Sequence, residues 1–202
     1  MFYFTPLTVT MGCIHSLNPI NFVSSLQFVQ KKGNPMTSSQ LPSIGRPNMP
    51  ESYGLSQNAA GQLEWEWVQN QMIEARNYWV CTTRKDGRPH VMPVWGVWQE
   101  NCFYFGTDIH SVKAHNLGRN PNLVVHLESG DEVVIIECRA QQISDPQLLS
   151  RVLKTYSQKY AVFSDESELT EVTIFYAAKP YKVLAWREAS FPTSATRWRF
   201  DE

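Results

Sequence analysis

The chain has 202 residues, of which 43% are hydrophobic and 18% are charged. This composition is typical of a globular domain and excludes a disordered or fibrous chain. The 18 basic and 19 acidic side chains leave a net charge of -1, which excludes a general nucleic-acid or anionic-membrane binder, because such proteins are more basic.

Residues 1–61 are predicted to be a mobile N-terminal extension and linker of the domain at 62–202. Residues 36–61 are rich in Ser, Pro, Gly and Asn and show no hydrophobic periodicity, as linkers do. We interpret Met36 as the working start and residues 1–35 as upstream translated sequence; a mobile N-terminal arm is the alternative. The early residues lack the basic region of a signal peptide, and no run approaches the ~20 apolar residues that span a bilayer. We therefore expect no membrane partner.

The four cysteines, Cys13, Cys81, Cys102 and Cys138, form no CxxC pair. A zinc-ribbon or thioredoxin-type site is therefore not indicated. The last three lie in apolar, strand-like runs, which predicts buried free thiols in a reducing compartment. We accordingly expect a cytoplasmic protein.

The ordered part of the chain is predicted to begin near Leu63 with a helix, followed by a β-meander. Helical spacing of apolar residues predicts a helix over 63–76, and the period then changes to that of strands. The Asp86-Gly87 pair indicates a hairpin turn. Pro93 requires an edge or a bulge, and Gly96 indicates a close approach to the backbone. The predicted strands are 78–84, 90–98 and 102–106.

A short helix is predicted over 109–117, with Thr107 or Asp108 as its N-cap. Its positive pole then lies beside Thr107, Ser111 and Lys113. Hydroxyl groups, a helix N-terminus and a lysine together favour an anion such as phosphate. A capped helix with a solvated Lys113 gives the same pattern, so both interpretations remain open.

The second half of the chain is predicted to add strands and one long helix. Asp145 and Pro146 mark the start of a helix over 146–160, whose apolar stripe is typical of core packing. About seven strands in a largely antiparallel order favour a barrel over a sandwich. The predicted strands are 122–128, 132–143, 172–176 and 181–186, of which the last two are separated by Lys179 and Pro180.

Two segments resemble the pyridoxamine 5'-phosphate oxidase-like flavoproteins, also called the FMN-binding split-barrel family. Residues 84–95 match the family's DGRPH…PVW hairpin, and residues 103–121 match its segment with the pattern T…S.K..NL..NP. The similarity extends from about Leu63 to Phe200, and Ala185-Trp186 and residues 196–200 also resemble the family's uncharacterised FMN-binding branch.

The resemblance implies a mainly β fold, a six-stranded antiparallel split β-barrel with peripheral α-helices. It also implies a homodimer with FMN at the subunit interface. The implied function is that of an FMN-binding oxidoreductase, which moves a hydride or electrons to or from a small unidentified substrate. The cofactor supplies this chemistry, and the protein supplies binding, orientation and exclusion of water.

The family places the FMN phosphate at Thr107, Ser111 and Lys113, and the isoalloxazine ring along 92–95. A tryptophan matching Trp186 approaches the flavin from the partner chain. The cofactor-binding residues that the resemblance implies are His90, Met92, Pro93, Val94, Trp95, Gly106, Thr107, Ser111, Val112, Lys113, Trp186, Arg197 and Arg199. The alternative for Trp95 is a role in core packing. The alternative for Arg197 and Arg199 is a role on the surface or in the C-terminal strand.

The sequence departs from the oxidase in ways that concern its substrate. The strand at 91–96 has no basic residue, and Val112 stands where the oxidase has an arginine. We therefore do not expect pyridoxamine phosphate as substrate, and no catalytic acid or base is assigned. A flavin- or haem-binding module without turnover, and a deazaflavin-dependent reductase, are the alternatives.

The histidines do not predict a metal site. His110 and His115 are five residues apart, which does not place them on one helical face as well as a spacing of four would. No acidic pair or cysteine joins His90 or His126 at ligand spacing. His90 belongs to the hairpin that resembles the flavoprotein family, and we expect it near the cofactor.

Overall fold

Nine antiparallel strands form one sheet in the computed structural model, which describes residues 42–162, 167 and 169–200. Residues 1–41, which include Cys13, Met36 and most of the predicted extension, lie outside the described residues. The strands are β1 (Ser43–Gly45), β2 (Tyr78–Thr83), β3 (Pro89–Val94), β4 (Val97–Gln99), β5 (Cys102–Asp108), β6 (Asn122–His126), β7 (Glu132–Gln142), β8 (Thr173–Arg187) and β9 (Thr196–Arg199). The helices are α1 (Trp65–Glu74), α2 (Val112–Leu117), α3 (Pro146–Tyr160) and α4 (Phe191–Ser194).

The strands follow the order β1-β9-β8-β7-β6-β2-β3, and β4 joins through β5 to β8. Strand β8 has two neighbours on one edge: residues 173–178 pair with β5, and residues 182–185 pair with β9. Its other edge pairs with β7. Within the described residues the order ends at β1 and at β3, and the branch through β5 ends at β4. The predicted class, a mainly β antiparallel split-barrel fold with peripheral helices, is confirmed; the count of six barrel strands stays a prediction.

The predicted strand over 90–98 is wrong in one respect, because it is two strands. β3 ends at Val94, and β4 begins at Val97. A Cβ on Gly96 would lie 2.3 Å from ring carbons of Phe103, so only glycine fits this close approach. The break therefore occurs where the sequence indicated a bulge or close contact. Pro93 lies on β3 at the end of the strand order, as its missing N–H requires.

The two late strands predicted around Lys179 and Pro180 are one continuous strand, β8. The register between β7 and β8 shifts between Glu137 and Cys138, and Cys138 lies opposite Pro180. A bulge places an unpaired residue in the ladder, so the strand continues past a proline that donates no hydrogen bond. Lys179 and Pro180 therefore mark a bulge and not a turn.

Part of the predicted linker forms ordered contacts with the sheet. Strand β1 pairs with β9 from Ser43 to Gly45. The guanidinium of Arg46 donates hydrogen bonds to the backbone carbonyls of Asn58 at 2.7 Å and Ala195 at 2.9 Å. These contacts order residues that sequence periodicity alone assigns to a linker. The domain boundary between residues 61 and 62 stays a prediction.

Helix α3 packs on the half of the sheet formed by β4, β5 and β8. Asp145 caps its N-terminus by accepting a hydrogen bond from the backbone N–H of Gln147, and its bounds are those predicted. Val152, Leu153 and Tyr156 are buried against Val97, Cys102, Tyr104 and Phe175. The apolar stripe is therefore core packing. Among the helices of the described residues, none is long and apolar enough to cross a bilayer.

The three cysteines in the described residues are free thiols. Cys102 and Cys138 are buried, as predicted, whereas Cys81 is half-buried. Burial raises the pKa of the Cys102 thiol to about 11, so that this group is neutral at physiological pH. Such thiols are packing groups and not nucleophiles.

Candidate functional site

Helix α2 begins later than predicted, because Ser111 is its N-cap. The Ser111 hydroxyl accepts a hydrogen bond from the backbone N–H of Ala114 at 3.2 Å. The prediction of Thr107 or Asp108 as the cap is wrong; Asp108 instead accepts from the backbone N–H of His110 at 2.7 Å, which forms a turn before the helix. Since α2 has only six residues, an anion placed at its N-terminus would interact mainly with charged and hydroxyl groups and less with a helix dipole.

Three of the predicted phosphate-binding residues lie together at the junction of β5 and α2. The hydroxyls of Thr107 and Ser111 are 3.0 Å apart. Lys113 is half-buried two residues further on; burial lowers its pKa, and the nearby charge of Asp108 acts in the opposite direction. An anion placed here would stabilise the ammonium that burial disfavours. The geometry thus suits a phosphate or carboxylate.

His90 belongs to the same region through a chain of hydrogen-bonding side chains. The Nδ1 of His90 lies 3.4 Å from the Thr82 hydroxyl, which accepts a hydrogen bond from the Asn116 amide of α2 at 2.9 Å. Burial lowers the pKa of His90, and the positive charges of Arg84 and Lys113 lower it further. At neutral pH His90 is therefore a neutral hydrogen-bonding group.

The predicted ring-binding strand β3 is an exposed apolar edge. Met92 is 43% exposed and Trp95 is 42% exposed, and β3 has no strand partner beyond β2 in the described residues. Pro93 is exposed and Val94 is half-buried. An apolar edge of this kind is a surface for a planar ligand, a partner subunit or both.

Side chains of helix α3 form hydrogen bonds with the backbone at the break between β3 and β4. The Tyr156 hydroxyl donates to the Trp95 carbonyl at 2.6 Å. The Tyr160 hydroxyl lies 2.8 Å from the Gly96 carbonyl and accepts from the Gly96 N–H at 3.0 Å. The Trp95 indole stacks on the Tyr160 ring, with centroids 4.8 Å apart. The backbone groups that leave the ladder are thus paired with α3.

Lys159 completes this contact, and sequence analysis missed it. Its ammonium donates to the Tyr78 hydroxyl at 2.6 Å and to the Gly96 carbonyl at 3.3 Å. Burial lowers its pKa to about 8. The polar groups of residues 156, 159 and 160 lie on one face of a helix, because residues three and four apart are neighbours. The spacing of these three polar residues on α3, together with the strand break that Pro93 and Gly96 indicate, could have identified them from the sequence.

We expect Lys159→Met to change how stability depends on pH. Between the folded pKa of about 8 and the ordinary value of 10.5, the unfolded chain binds more protons than the folded chain. The contribution of Lys159 to the free energy of unfolding of the wild type therefore increases as the pH rises through this window. The methionine variant lacks that contribution.

Urea unfolding of both proteins at a series of pH values measures this effect. The free energy of unfolding of Lys159→Met minus that of the wild type should fall as pH rises from about 8 to 10.5. Other titrating groups are the same in both proteins, so their contributions cancel in the difference. Lys154→Met, on the exposed face of α3, should give a flat difference. A flat difference for Lys159→Met would contradict the assignment of its buried charge.

In the strand register, Trp186, Arg197 and Arg199 lie along the second half of β8, whereas Thr107 lies beside the first residues of that strand. Thr107 pairs with Ile174 near the start of β8, whereas Trp186 lies near its end, opposite Val133. Twelve residues separate Ile174 from Trp186, which is up to ~40 Å of extended strand. The indole of Trp186 donates to Glu188 at 3.3 Å.

The two arginines lie on β9, with Arg199 exposed and Arg197 half-buried. The Nε of Arg197 is buried and has no hydrogen-bond partner among the described residues. A buried guanidinium nitrogen without an acceptor is costly unless another molecule supplies one. Within the described residues, no three His, Cys, Asp or Glu side chains lie close enough to hold a metal ion.

Comparison with known proteins identifies a matching family and similar folds. The sequence model of the pyridoxamine 5'-phosphate oxidase family matches residues 67–186. A conserved hypothetical protein from Mycobacterium tuberculosis is similar in structure, with a TM-score of 0.57 and 21% identity over 65% of this chain and 89% of that chain. The haem storage protein HutZ from Vibrio cholerae has a TM-score of 0.51 and 15% identity over 57% of this chain and 89% of that chain. Among curated proteins, none matches the sequence.

Proposed function

The chain belongs to the pyridoxamine 5'-phosphate oxidase family, and on that premise we propose that it is an FMN-binding oxidoreductase. The observation on which the proposal mainly depends is the group of Thr107, Ser111, Lys113 and His90 beside an exposed apolar strand. It offers donors for one phosphate next to a surface for a planar ring. Bound FMN would supply hydride or electron transfer to or from a small substrate.

The phosphate would be held by Lys113 and by the hydroxyls of Thr107 and Ser111. A lysine ammonium and two hydroxyls can each donate a hydrogen bond to a phosphate oxygen. Gly106 precedes them on β5, and a Cβ there would lie 2.9 Å from the Phe175 ring. This glycine lets β5 pack closely on Phe175 and so sets the position of Thr107.

The isoalloxazine ring would lie along β3, with the backbone of 92–95 at its polar edge and Trp95 beside it. The pairing of the Trp95 and Gly96 carbonyls with α3 fixes the end of this strand before any ligand arrives. A preformed surface reduces the entropy lost on binding. Val112 is 41% exposed at the start of α2, where it would contact the ribityl chain.

Reduction of the bound cofactor tests the function directly. The purified protein should be yellow, should bleach with NAD(P)H or dithionite and should recover its absorbance when a substrate reoxidises it. Absorbance spectroscopy follows each step. A yellow protein that bleaches with dithionite but is not reoxidised by any candidate substrate would favour a binding module, and a Soret band would indicate haem.

We also propose that the working unit is a homodimer. Trp186 and Arg197 lie at the far end of β8 from Lys113, so a second copy can supply them to a site that one chain leaves incomplete. The exposed apolar side chains of Val91, Met92 and Trp95 are of the kind that a self-complementary two-fold interface covers.

Sedimentation equilibrium at micromolar concentration measures the assembly. We expect a mass of about twice that of the chain, because burial of apolar surface between copies stabilises the pair. Met92→Asp should shift the equilibrium towards the monomer, whereas Ile73→Asp, on the exposed face of α1, should not. A wild-type protein that stays monomeric would overturn the dimer and the role of Trp186 across it.

A further inference from the structure

A cavity of about 550 Å³ lies between the hairpin turn after β2 and the outer face of α2. We call it the basic pocket, because four cationic side chains line it: Arg84, Lys85, Arg88 and Arg119. Of the cofactor-binding residues that the sequence suggests, only Val112 is among its lining residues. The pocket is therefore a different group of residues from the phosphate-binding group at Lys113.

The positive charge of the basic pocket is local and largely uncompensated. Its lining includes one carboxylate, Asp86, which pairs with Arg88 at 2.7 Å. The whole chain has a net charge of -1, so this concentration of cations is not a general property of the sequence. Like charges held close together repel one another, and an anion between them removes that repulsion.

Hydrogen bonds within the protein hold the pocket's walls in place. The guanidinium of Arg119 donates to the side-chain carbonyl of Asn116 at 3.0 Å, and Asn116 is itself only 2% exposed. On the opposite wall, the backbone N–H of Arg84 donates to the Arg88 carbonyl at 2.9 Å, and Gly87 takes a positive φ of 82°. The Arg119 guanidinium, which is held in this way, loses less entropy when it binds a ligand.

The basic pocket adjoins the expected phosphate position. Val112 lines the pocket and directly precedes Lys113. Arg84 of the basic pocket and Lys113 of the phosphate-binding group both act electrostatically on His90. Positive charges from both groups of residues therefore lie close enough to act on the same side chain.

We propose that the basic pocket binds a second anionic group, a phosphate or carboxylate, in addition to the phosphate at Lys113. This inference rests on the proposed function, in which FMN already supplies the first phosphate. The second group has two sources: a phosphorylated or acidic substrate bound beside FMN, or an extension of the flavin beyond its first phosphate, as in FAD. Both sources share the same recognition by arginine, whose planar guanidinium binds two oxygens at once.

The first test uses pyrophosphate as a probe of the pocket. Isothermal titration of pyrophosphate into the FMN-saturated full chain should show binding, which Arg84→Ala weakens by about tenfold or more. Lys154→Ala removes the same charge from the exposed face of α3 and should leave the affinity unchanged. Near-ultraviolet circular dichroism verifies that Arg84→Ala is folded.

The second test compares FAD with FMN and identifies the source. If FAD binds the wild type more tightly than FMN, and Arg84→Ala removes that advantage, the second anion belongs to the cofactor. If FAD has no advantage but pyrophosphate binds the FMN-saturated protein, it belongs to a separate ligand. Absence of both effects, or equal effects of Arg84→Ala and Lys154→Ala, would overturn the proposal. A chain that binds neither flavin contradicts the proposed function, and pyrophosphate titrated alone then still tests the pocket.

Discussion

Replacing Lys113 by alanine is expected to weaken FMN binding by about 10- to 100-fold while leaving riboflavin binding unchanged. Charge-assisted hydrogen bonds to a phosphate contribute roughly 1.5–3 kcal/mol each, and ~1.4 kcal/mol corresponds to tenfold in affinity. Riboflavin lacks the phosphate, so it reports only on the ring and ribityl contacts. Fluorescence quenching of each flavin on titration with protein measures both affinities.

The comparison between the two flavins separates a binding role of Lys113 from a structural one. Loss of FMN and riboflavin affinity to the same degree would mean that Lys113 supports the fold around α2. No loss of either would mean that Lys113 is a solvated side chain. Lys154→Ala is the matched control, since Lys154 is an exposed lysine on α3 with the same charge, and should alter neither affinity.

The second large effect concerns stability: Gly96→Ala is expected to destabilise the fold by about 3 kcal/mol. A Cβ at this position would lie 2.3 Å from two ring carbons of Phe103 and 2.9 Å from the Tyr104 carbonyl oxygen. Phe103 is fully buried, and its ring centroid is 4.6 Å from that of Tyr78, so the ring has no space into which it can move. The strand break would have to shift away from Phe103, which would disturb its hydrogen bonds to Tyr156 and Tyr160.

Urea unfolding measures this loss, with Gly130→Ala as its control. A Cβ on Gly130, in the turn between β6 and β7, would meet nothing within 4 Å, so this variant should stay within about 0.5 kcal/mol of the wild type. Equal stability of the two variants would show that the approach of Phe103 to Gly96 is not the constraint we describe.

Local sequence signals predicted the elements that depend on local interactions. The cap and proline at Asp145 and Pro146 predicted the start of α3, and the Asp86-Gly87 pair predicted the hairpin between β2 and β3. The proline and glycine at positions 93 and 96 correctly indicated an edge strand and a close approach. Each of these signals acts within a few residues of the structure that it specifies.

The elements that were predicted wrongly depend on distant partners. Strand β8 continues past Pro180 because a bulge in the β7–β8 register accommodates it, and β1 forms because β9 offers an edge about 150 residues later in the chain. The N-cap of α2 is a local exception: it is Ser111 because Asp108 instead forms a turn with the backbone N–H of His110. Neither pairing nor register is present in the local pattern.

The candidate site likewise contains one part that local sequence predicts and another part that depends on distant contacts. Thr107, Ser111 and Lys113 are close in sequence, so their grouping follows from the pattern alone. The contacts of Tyr156 and Lys159 with the Trp95–Gly96 break require α3 to pack on the sheet, and apolar periodicity shows only that the helix is amphipathic. The roles expected for Trp186 and Arg197 depend on a second chain, which the sequence of one chain does not specify.

Mass spectrometry of the small molecule released by denaturing freshly purified protein identifies the bound cofactor. We expect a flavin with the mass of FMN, released at about one molecule per chain, because each chain has one proposed phosphate-binding group at Thr107, Ser111 and Lys113 and one apolar strand β3 beside it. Release of haem or of a deazaflavin, or of no cofactor from a folded protein that also fails to take up added FMN, would contradict it.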